Sequence, residues 1–275
     1  MLVPFSQLLE EAASRGAAVG AFTCYNLETA AGVLRAAAER RCGVVLLVSK
    51  QSFTAPDGPL LVSALVAAAA SAPVRACVQL DHVRELEPIE TAFRLGVGAA
   101  MADGSKLPLE GNADYVRAAA RSGEVEAELG GIEGDEDVAT AAATGALTEP
   151  DEAAWFAERS GAVCLAVSIG NVHGAYAQPP ALDWPRLAEI RRRVSIPLSL
   201  HGASGLPDDD LRKAIQLGVA KINVNTELRE RYLDVTAERA ESARDGARVL
   251  ELNLAQTEAV AEVVAAKLDL YERGR

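Results

Sequence analysis

Short apolar runs of β character alternate with longer Ala-rich amphipathic stretches along this chain, and the alternation repeats eight times. The runs are AVGAFTCY (18–25), GVVLLVS (43–49), VRACVQL (74–80), GAAMAD (98–103), EVEAELG (124–130), AVCLAVSIG (162–170), IPLSLHG (196–202) and AKINVN (220–225). Several of the stretches between them open at Pro or Asp and close at Gly, which is helix start and stop chemistry. Eight strand–helix units of roughly 25–30 residues predict an α/β fold, a closed parallel (β/α)8 barrel rather than an open doubly wound sheet. A Rossmann-like sheet is the alternative, but no GxGxxG follows the first run. An extra N-terminal helix is expected before the barrel (5–15) and a C-terminal helical tail of two helices after it (227–243 and 256–272). No linker divides 1–275, so a single barrel domain is expected. The one long irregular segment, 131–150, follows the fifth run, and so long a loop in a compact domain is usually functional.

Charge and apolar patches narrow the function. A net charge of -12 without any basic cluster argues against nucleic acid and anionic membranes, since both need a positive face. The longest apolar patch, LLVSALVAAAASA (60–72), is too short to span a bilayer and reads as a buried helix. The N-terminal stretch has acids but no basic n-region or small-residue cleavage site, so a cytoplasmic location is expected. Cys24, Cys42, Cys77 and Cys164 are widely separated, form no CxxC pair and read as reduced core residues.

The chain has only three histidines, and each closes an apolar run: His82 in VQLDHV, His173 in AVSIGNVHGAY and His201 in SLHGASG. In a parallel barrel the C-terminal strand ends share one face, so the third, sixth and seventh units bring these rings together. A single histidine at a strand end is more often a structural hydrogen-bonding residue than a ligand. Three of them, used nowhere else in the chain, are hard to explain by packing. Three neutral imidazoles match the ligand set of a catalytic zinc that keeps a fourth position open.

Acids join the same rim: Asp81, Asp103, Glu126, Glu128, Glu136 and Asp137. Next to a metal such carboxylates serve as proton shuttles or orient the imidazoles. Glu126 and Glu128 lie two apart on one run and so face the same side; if that side is the interior, a metal or a hydrogen-bond network must accompany them. Gly202, Ser204 and Gly205 after the seventh run, with Asn223, Asn225 and Thr226 after the eighth, stand where barrels bind phosphate. Lys221 invites comparison with imine-forming lysines, but a structural or charge-balancing role fits its position better.

The motifs AVGAFTCYNLET, QLDH, MADGS, VEAELGGIEGDED, IGNVHGAY, LSLHGASG and KINVNTEL occur in an order and spacing that resembles the class II, metal-dependent ketose-bisphosphate aldolases. The likeness spans nearly the whole chain. It implies a TIM barrel with zinc on His82, His173 and His201, cleaving a ketose 1,6-bisphosphate to dihydroxyacetone phosphate and an aldehyde such as glyceraldehyde 3-phosphate through a zinc-stabilised enediolate. It further implies Asp81 as acid/base at the C4 oxygen and Glu136 as handler of the C3 proton. Asp103 and Glu128 match an alternative metal position or its support. Gly174, Gly202, Ala203, Ser204, Asn223, Val224, Asn225 and Thr226 match the ketone-side phosphate site, and carbonyls near Gly174 and Gly202 match a monovalent cation (Na+ or K+) site. Ser49 matches a hydroxyl near the substrate, and Arg229 an arginine reaching a neighbouring subunit's distal phosphate. A homodimer or homotetramer is implied as well. Thr23 and Cys24 replace the usual Asn after the first strand, Val83 follows His82, and Glu133 and Asp135 make the long loop more acidic. Rival readings are an aldolase for another phosphorylated ketose, a three-histidine metal hydrolase and a non-catalytic binding subunit.

Overall fold

Eight parallel strands close on themselves, in the order β1-β10-β9-β7-β5-β4-β3-β2, with β2 returning to β1. In chain order the strands are β1 (Val19–Thr23), β2 (Val44–Ser49), β3 (Ala76–Val83), β4 (Ala99–Ala102), β5 (Glu124–Leu129), β6 (Ala141–Ala142), β7 (Cys164–Val167), β8 (Ala175–Tyr176), β9 (Leu198–Leu200) and β10 (Val219–Val224). The two-residue strands β6 and β8 pair with each other outside the barrel. This computed structural model describes residues 1–132, 141–142, 145–176 and 181–272. Each barrel strand is buried on both faces, by the interior on one side and helices on the other, which is why the runs are almost continuously apolar.

The helices are α1 (Phe5–Ser14), α2 (Leu27–Arg40), α3 (Lys50–Thr54), α4 (Gly58–Ser71), α5 (Leu86–Arg94), α6 (Leu109–Ala119), α7 (Pro150–Ser160), α8 (Trp184–Arg193), α9 (Asp208–Gln216), α10 (Thr226–Asp245) and α11 (Val249–Glu272). Their ends follow local chemistry. Asn26 caps α2 by accepting from the Thr29 amide at 2.9 Å, while the Thr29 hydroxyl accepts in return from the Asn26 amide. Pro150 opens α7 and Gly161 closes it in the left-handed region. A side chain at Gly32 would meet Val260 Cβ at 2.8 Å, so this glycine lets α2 and α11 approach closely.

Helix α1 plugs the N-terminal end of the barrel. Phe5, Leu8, Leu9 and Ala12 pack on Val19, Ala21, Val45, Leu47, Cys77, Ala99 and Cys164, and burying a residue such as Phe5 stabilises by about 1.5–3 kcal/mol. Glu124 fixes the helix by accepting from the Ser6 amide at 3.0 Å and its hydroxyl at 2.5 Å. Above this apolar plug the interior turns polar, with Gln79, Glu126, Ser199 and Lys221 and, two residues further along the same strands, Asp81, Glu128, His201 and Asn223. The barrel therefore has a dry closed end and a polar mouth.

Four local expectations differ from the structure. Strand β3 runs on to Val83, through Asp81 and His82. Residues 50–54 form a short helix, capped by the Ser49 hydroxyl, which accepts from the Ser52 amide at 3.2 Å. The apolar patch 60–72 falls on α4, which buries only one face and leaves Leu60 70% exposed; alanines keep such a helix stable without needing burial. The second tail helix starts at Val249 rather than at 256. Among the described residues no helix is long and apolar enough to cross a membrane.

All four cysteines are free and buried. Burial pushes the Cys24 and Cys77 thiols up to about 12. A thiol reagent at pH 8 is therefore expected to spare both in the folded protein and to modify all four cysteines in denaturant; rapid native labelling of Cys77, read by mass spectrometry, would show that the barrel interior opens.

Candidate active site

Strict alternation along β3 would put Asp81 and His82 on opposite faces, one inward and one outward. The backbone prevents this. His82 adopts φ 50°, in the left-handed region rarely used by residues other than glycine, and the β3/β4 register breaks between Leu80 and Val83. The turn swings the His82 ring over the barrel mouth, where its centroid lies 4.8 Å from that of His173 and 5.0 Å from that of His201. His201 directly follows β9, and His173 stands in the segment between β7 and β8.

The three rings form one donor set. Their ligating nitrogens all lie within 4.8 Å of one another, and His82 Nε2 is 3.0 Å from His201 Nδ1. Nitrogens about 2.0–2.1 Å from a tetrahedral ion stand about 3.4 Å apart, so the cluster fits a divalent metal ion with little adjustment. The donors also face the right way. His201 Nε2 lies 3.0 Å from Glu126 Oε1, and a carboxylate accepts, so Nε2 carries the proton and Nδ1 turns its lone pair to the mouth.

Acids surround the cluster in distinct ways. Asp103 accepts from Ser105 N at 3.1 Å and Arg84 Nε at 3.0 Å, and its Oδ2 lies 3.7 Å from His82 Nδ1. Burial would raise its carboxyl, but His82, Ser105 and Arg84 prevail and hold it well below the usual carboxylate range. Glu128 Oε2 is buried, with no hydrogen-bond donor within reach among the described residues, 3.9 Å from His82 Nδ1, and burial raises its carboxyl. Asp81 Oδ2 accepts from Asn223 Nδ2 at 3.2 Å. Glu126 is held low against its burial by the charge of Lys221, 2.7 Å away, and by His201.

Beside the histidines lies a small cleft lined by His173, Gly174, Gly202, Ala203, Ser204, Asn223, Asn225 and Thr226. Gly202 (φ 62°) and Gly174 (φ 81°) both need the left-handed region, and a Cβ on Gly202 would overlap the Val172 carbonyl oxygen. The cleft opens at the start of α10, whose first turn, from Thr226, presents backbone amides to an anion.

The family model described as fructose-bisphosphate aldolase class-II matches residues 3–274. The chain belongs to the class-II fructose-bisphosphate aldolase family. Its structure superposes on the YdjI aldolase of Escherichia coli K12 with a TM-score of 0.88 and 32% identity, covering 98% of this chain and 97% of that one. A candidate fructose-1,6-biphosphate aldolase of Coccidioides immitis gives 0.86 at 31% identity, over 96% and 94% of the two chains. Fructose-bisphosphate aldolase of Campylobacter jejuni, at 19% identity, shares the fold with a TM-score of 0.80 over 98% and 95%.

Within this class-II aldolase the barrel mouth brings together His82, His173, His201, Asp81, Asp103, Glu128 and most of the residues expected around phosphate. Val224 does not line the cleft; its side chain packs in the outer core. Ser49 spends its hydroxyl on capping α3. Arg229 lines a separate cavity of about 240 Å3 between α2 and α10, with Thr23, Tyr25 and Tyr232. Glu136, with Glu133, Asp135 and Asp137, lies outside the described residues. Sequence reasoning missed Gln79 and Asn171. Asn171 accepts from the Ile169 amide at 2.8 Å and donates to the His201 carbonyl at 3.0 Å, tying two ligand segments together. A signal for the interior residues was available: QLD, EAE, SLH and KIN each repeat a polar residue at spacing two, the period of one strand face.

Gly202→Ala is expected to destabilise the fold by about 1–3 kcal/mol from the left-handed backbone alone, and to weaken binding of inorganic phosphate. A calorimetric titration and a thermal melt check both effects, and wild-type values would show that this turn tolerates a side chain.

Proposed function

We propose that this chain is a zinc-dependent aldolase that reversibly cleaves a ketose 1,6-bisphosphate of fructose or tagatose type to dihydroxyacetone phosphate and an aldehyde such as glyceraldehyde 3-phosphate. One observation carries the reading: a three-histidine donor set opens onto a cleft of glycines, amides and hydroxyls, so metal and phosphate positions adjoin. His82, His173 and His201 would hold the ion. When bound, zinc supplies Lewis-acid polarisation of a carbonyl oxygen, worth several kcal/mol without a Schiff base.

The chain's own residues account for the other requirements. Asp81, buried and steadied by Asn223, is the acid/base at the C4 oxygen. Glu136 is assigned the C3 proton of dihydroxyacetone phosphate. Gly174, Gly202, Ala203 and Ser204, with Asn223, Asn225 and Thr226, hold the ketone-side phosphate through backbone amides, hydroxyls and side-chain amides. Asp103 and Glu128 back His82 from behind. Lys221 is engaged by Glu126 and Asn223, which favours charge balance over imine formation. A homodimer or homotetramer in the cytoplasm, with Arg229 reaching a neighbour's distal phosphate, belongs to the same reading.

Aldol cleavage measured across C4-epimeric ketose bisphosphates, with and without a chelator, tests it. Chelation is expected to lower the rate by about 100-fold or more, since several kcal/mol of stabilisation is lost and each 1.4 kcal/mol is tenfold. His201→Ala is expected to strip the metal and most of the activity; full turnover by a metal-free variant would refute the zinc role. Glu136→Ala should keep its metal while exchange of the C3 proton, followed by NMR in deuterated water, slows; an unchanged exchange rate removes Glu136 from that role.

A further inference from the structure

One buried ion pair underlies both halves of the site. Lys221 on β10 and Glu126 on β5 are fully buried, with Nζ 2.7 Å from Oε2. Among the described residues, their other hydrogen-bond partners all line the barrel interior, while the Lys221 ammonium also lies 6.0 Å above the Phe5 ring of the plug. Gln79 Nε2 donates to Glu126 Oε2 at 2.6 Å, the Ser199 hydroxyl donates to Oε1, and His201 Nε2 lies 3.0 Å from the same oxygen. Lys221 donates in addition to Asn223 Oδ1 at 2.6 Å. A buried ion pair is in itself weak evidence for stability, because apolar groups of the same volume often serve as well. What apolar groups lack is the power to settle orientation.

Two orientations are at stake here. An imidazole can present either ring nitrogen, and an ionised carboxylate, which only accepts, makes His201 keep its proton on Nε2 and turn Nδ1 toward His82 Nε2 at 3.0 Å and the Asn223 amide nitrogen at 3.3 Å. A carboxamide can flip, and an ammonium, which only donates, makes Asn223 offer Oδ1 to Lys221 and turn Nδ2 to Asp81 Oδ2 at 3.2 Å. The pair thus fixes one ligand tautomer and one amide rotamer from a single point beneath the mouth.

We propose that Lys221 and Glu126 are positioning residues: Glu126 selects Nδ1 of His201 as the metal-facing nitrogen, and Lys221 locks the Asn223 amide that holds the Asp81 carboxylate. The inference rests on the reading of His201 as ligand and Asp81 as acid/base. It gives Lys221 a role in the reaction without any covalent step.

The double variant Glu126→Gln/Lys221→Met tests it. Both charges disappear together, so neither member of the pair is left buried without the other, and near-isosteric side chains fill the space. Folding is checked by a thermal melt of the metal-free protein. Zinc affinity is measured by competition with a chromophoric chelator, and the ring tautomers by 15N NMR of the metal-free protein, in which only three histidines contribute. The folded double variant is expected to bind zinc about 10–100-fold more weakly and to lose a similar factor in kcat at saturating zinc. Its His201 should show a mixture of ring tautomers where the wild type shows Nε2–H alone. A folded double variant with wild-type zinc affinity and an unmixed His201 signal overturns the proposal. Glu126→Asp, which keeps the charge, is expected to recover the tautomer; a mixed signal there counts against charge as the selecting feature. If His201→Ala binds zinc like wild type, the ligand reading fails and the metal-facing role of Glu126 falls with it; if His201→Ala loses zinc while the double variant keeps wild-type affinity and an unmixed signal, the positioning role alone is overturned.

Discussion

The carboxylate of Glu126 carries its charge at a point no solvent reaches, and the arrangement of the barrel's upper half follows from the need to satisfy it. Stripping water from such a group costs several kcal/mol unless donors replace it. Three strands supply them: Gln79 comes from β3, Ser199 from β9 with His201 just beyond it, and Lys221 from β10. Only a closed barrel brings these strands around one point, because β5 is hydrogen-bonded to β4 and β7 and touches none of the three donor strands along its edges. Barrel closure and charge satisfaction are therefore one structural event.

The interior is graded along its axis. At the closed end α1 seals a cluster of aliphatic, aromatic and cysteine side chains, which excludes water from below. The next layer is polar but fully paired apart from single atoms such as Gln79 Oε1, and the outermost layer presents imidazole, carboxylate and amide groups to the mouth. Low dielectric below strengthens each hydrogen bond above it, so the ring and amide orientations at the mouth are held more firmly than they would be in water. Backbone strain completes the arrangement at His82, whose left-handed φ sets Asp81 and His82 side by side at the mouth, against the alternation of the strand. Strain of this kind persists only where surrounding structure enforces it, here the β2 pairing on one side and the Asp103 and Arg84 contacts on the other.

Much of the fold and the candidate site was legible in the linear sequence. Alternating apolar runs and capped amphipathic stretches are local signals, and barrel, extra N-terminal helix and helical tail all follow from them. Three histidines confined to the ends of runs were enough to bring His82, His173 and His201 to one mouth, because parallel strands share a polarity. Of the four runs with polar residues at spacing two, only the Glu126 and Glu128 pair was read as sharing a face, and Gln79 was missed. Boundaries were less legible: the helix at 50–54 depends on a single serine cap, and α4 reads as buried because alanine is tolerated equally in a core and on a surface.

What the residue order determined is thus the set of elements, their direction and the types of side chain at the mouth, since propensity, patterning and capping act over a few positions. The tertiary structure alone decided which atoms meet. Lys221 and Glu126 are 95 residues apart, His201 and Glu126 75, and His82 and His201 119. No local rule fixes a ring nitrogen, an amide rotamer or a left-handed histidine, because each is imposed by partners on strands across the barrel that become neighbours only when the sheet closes.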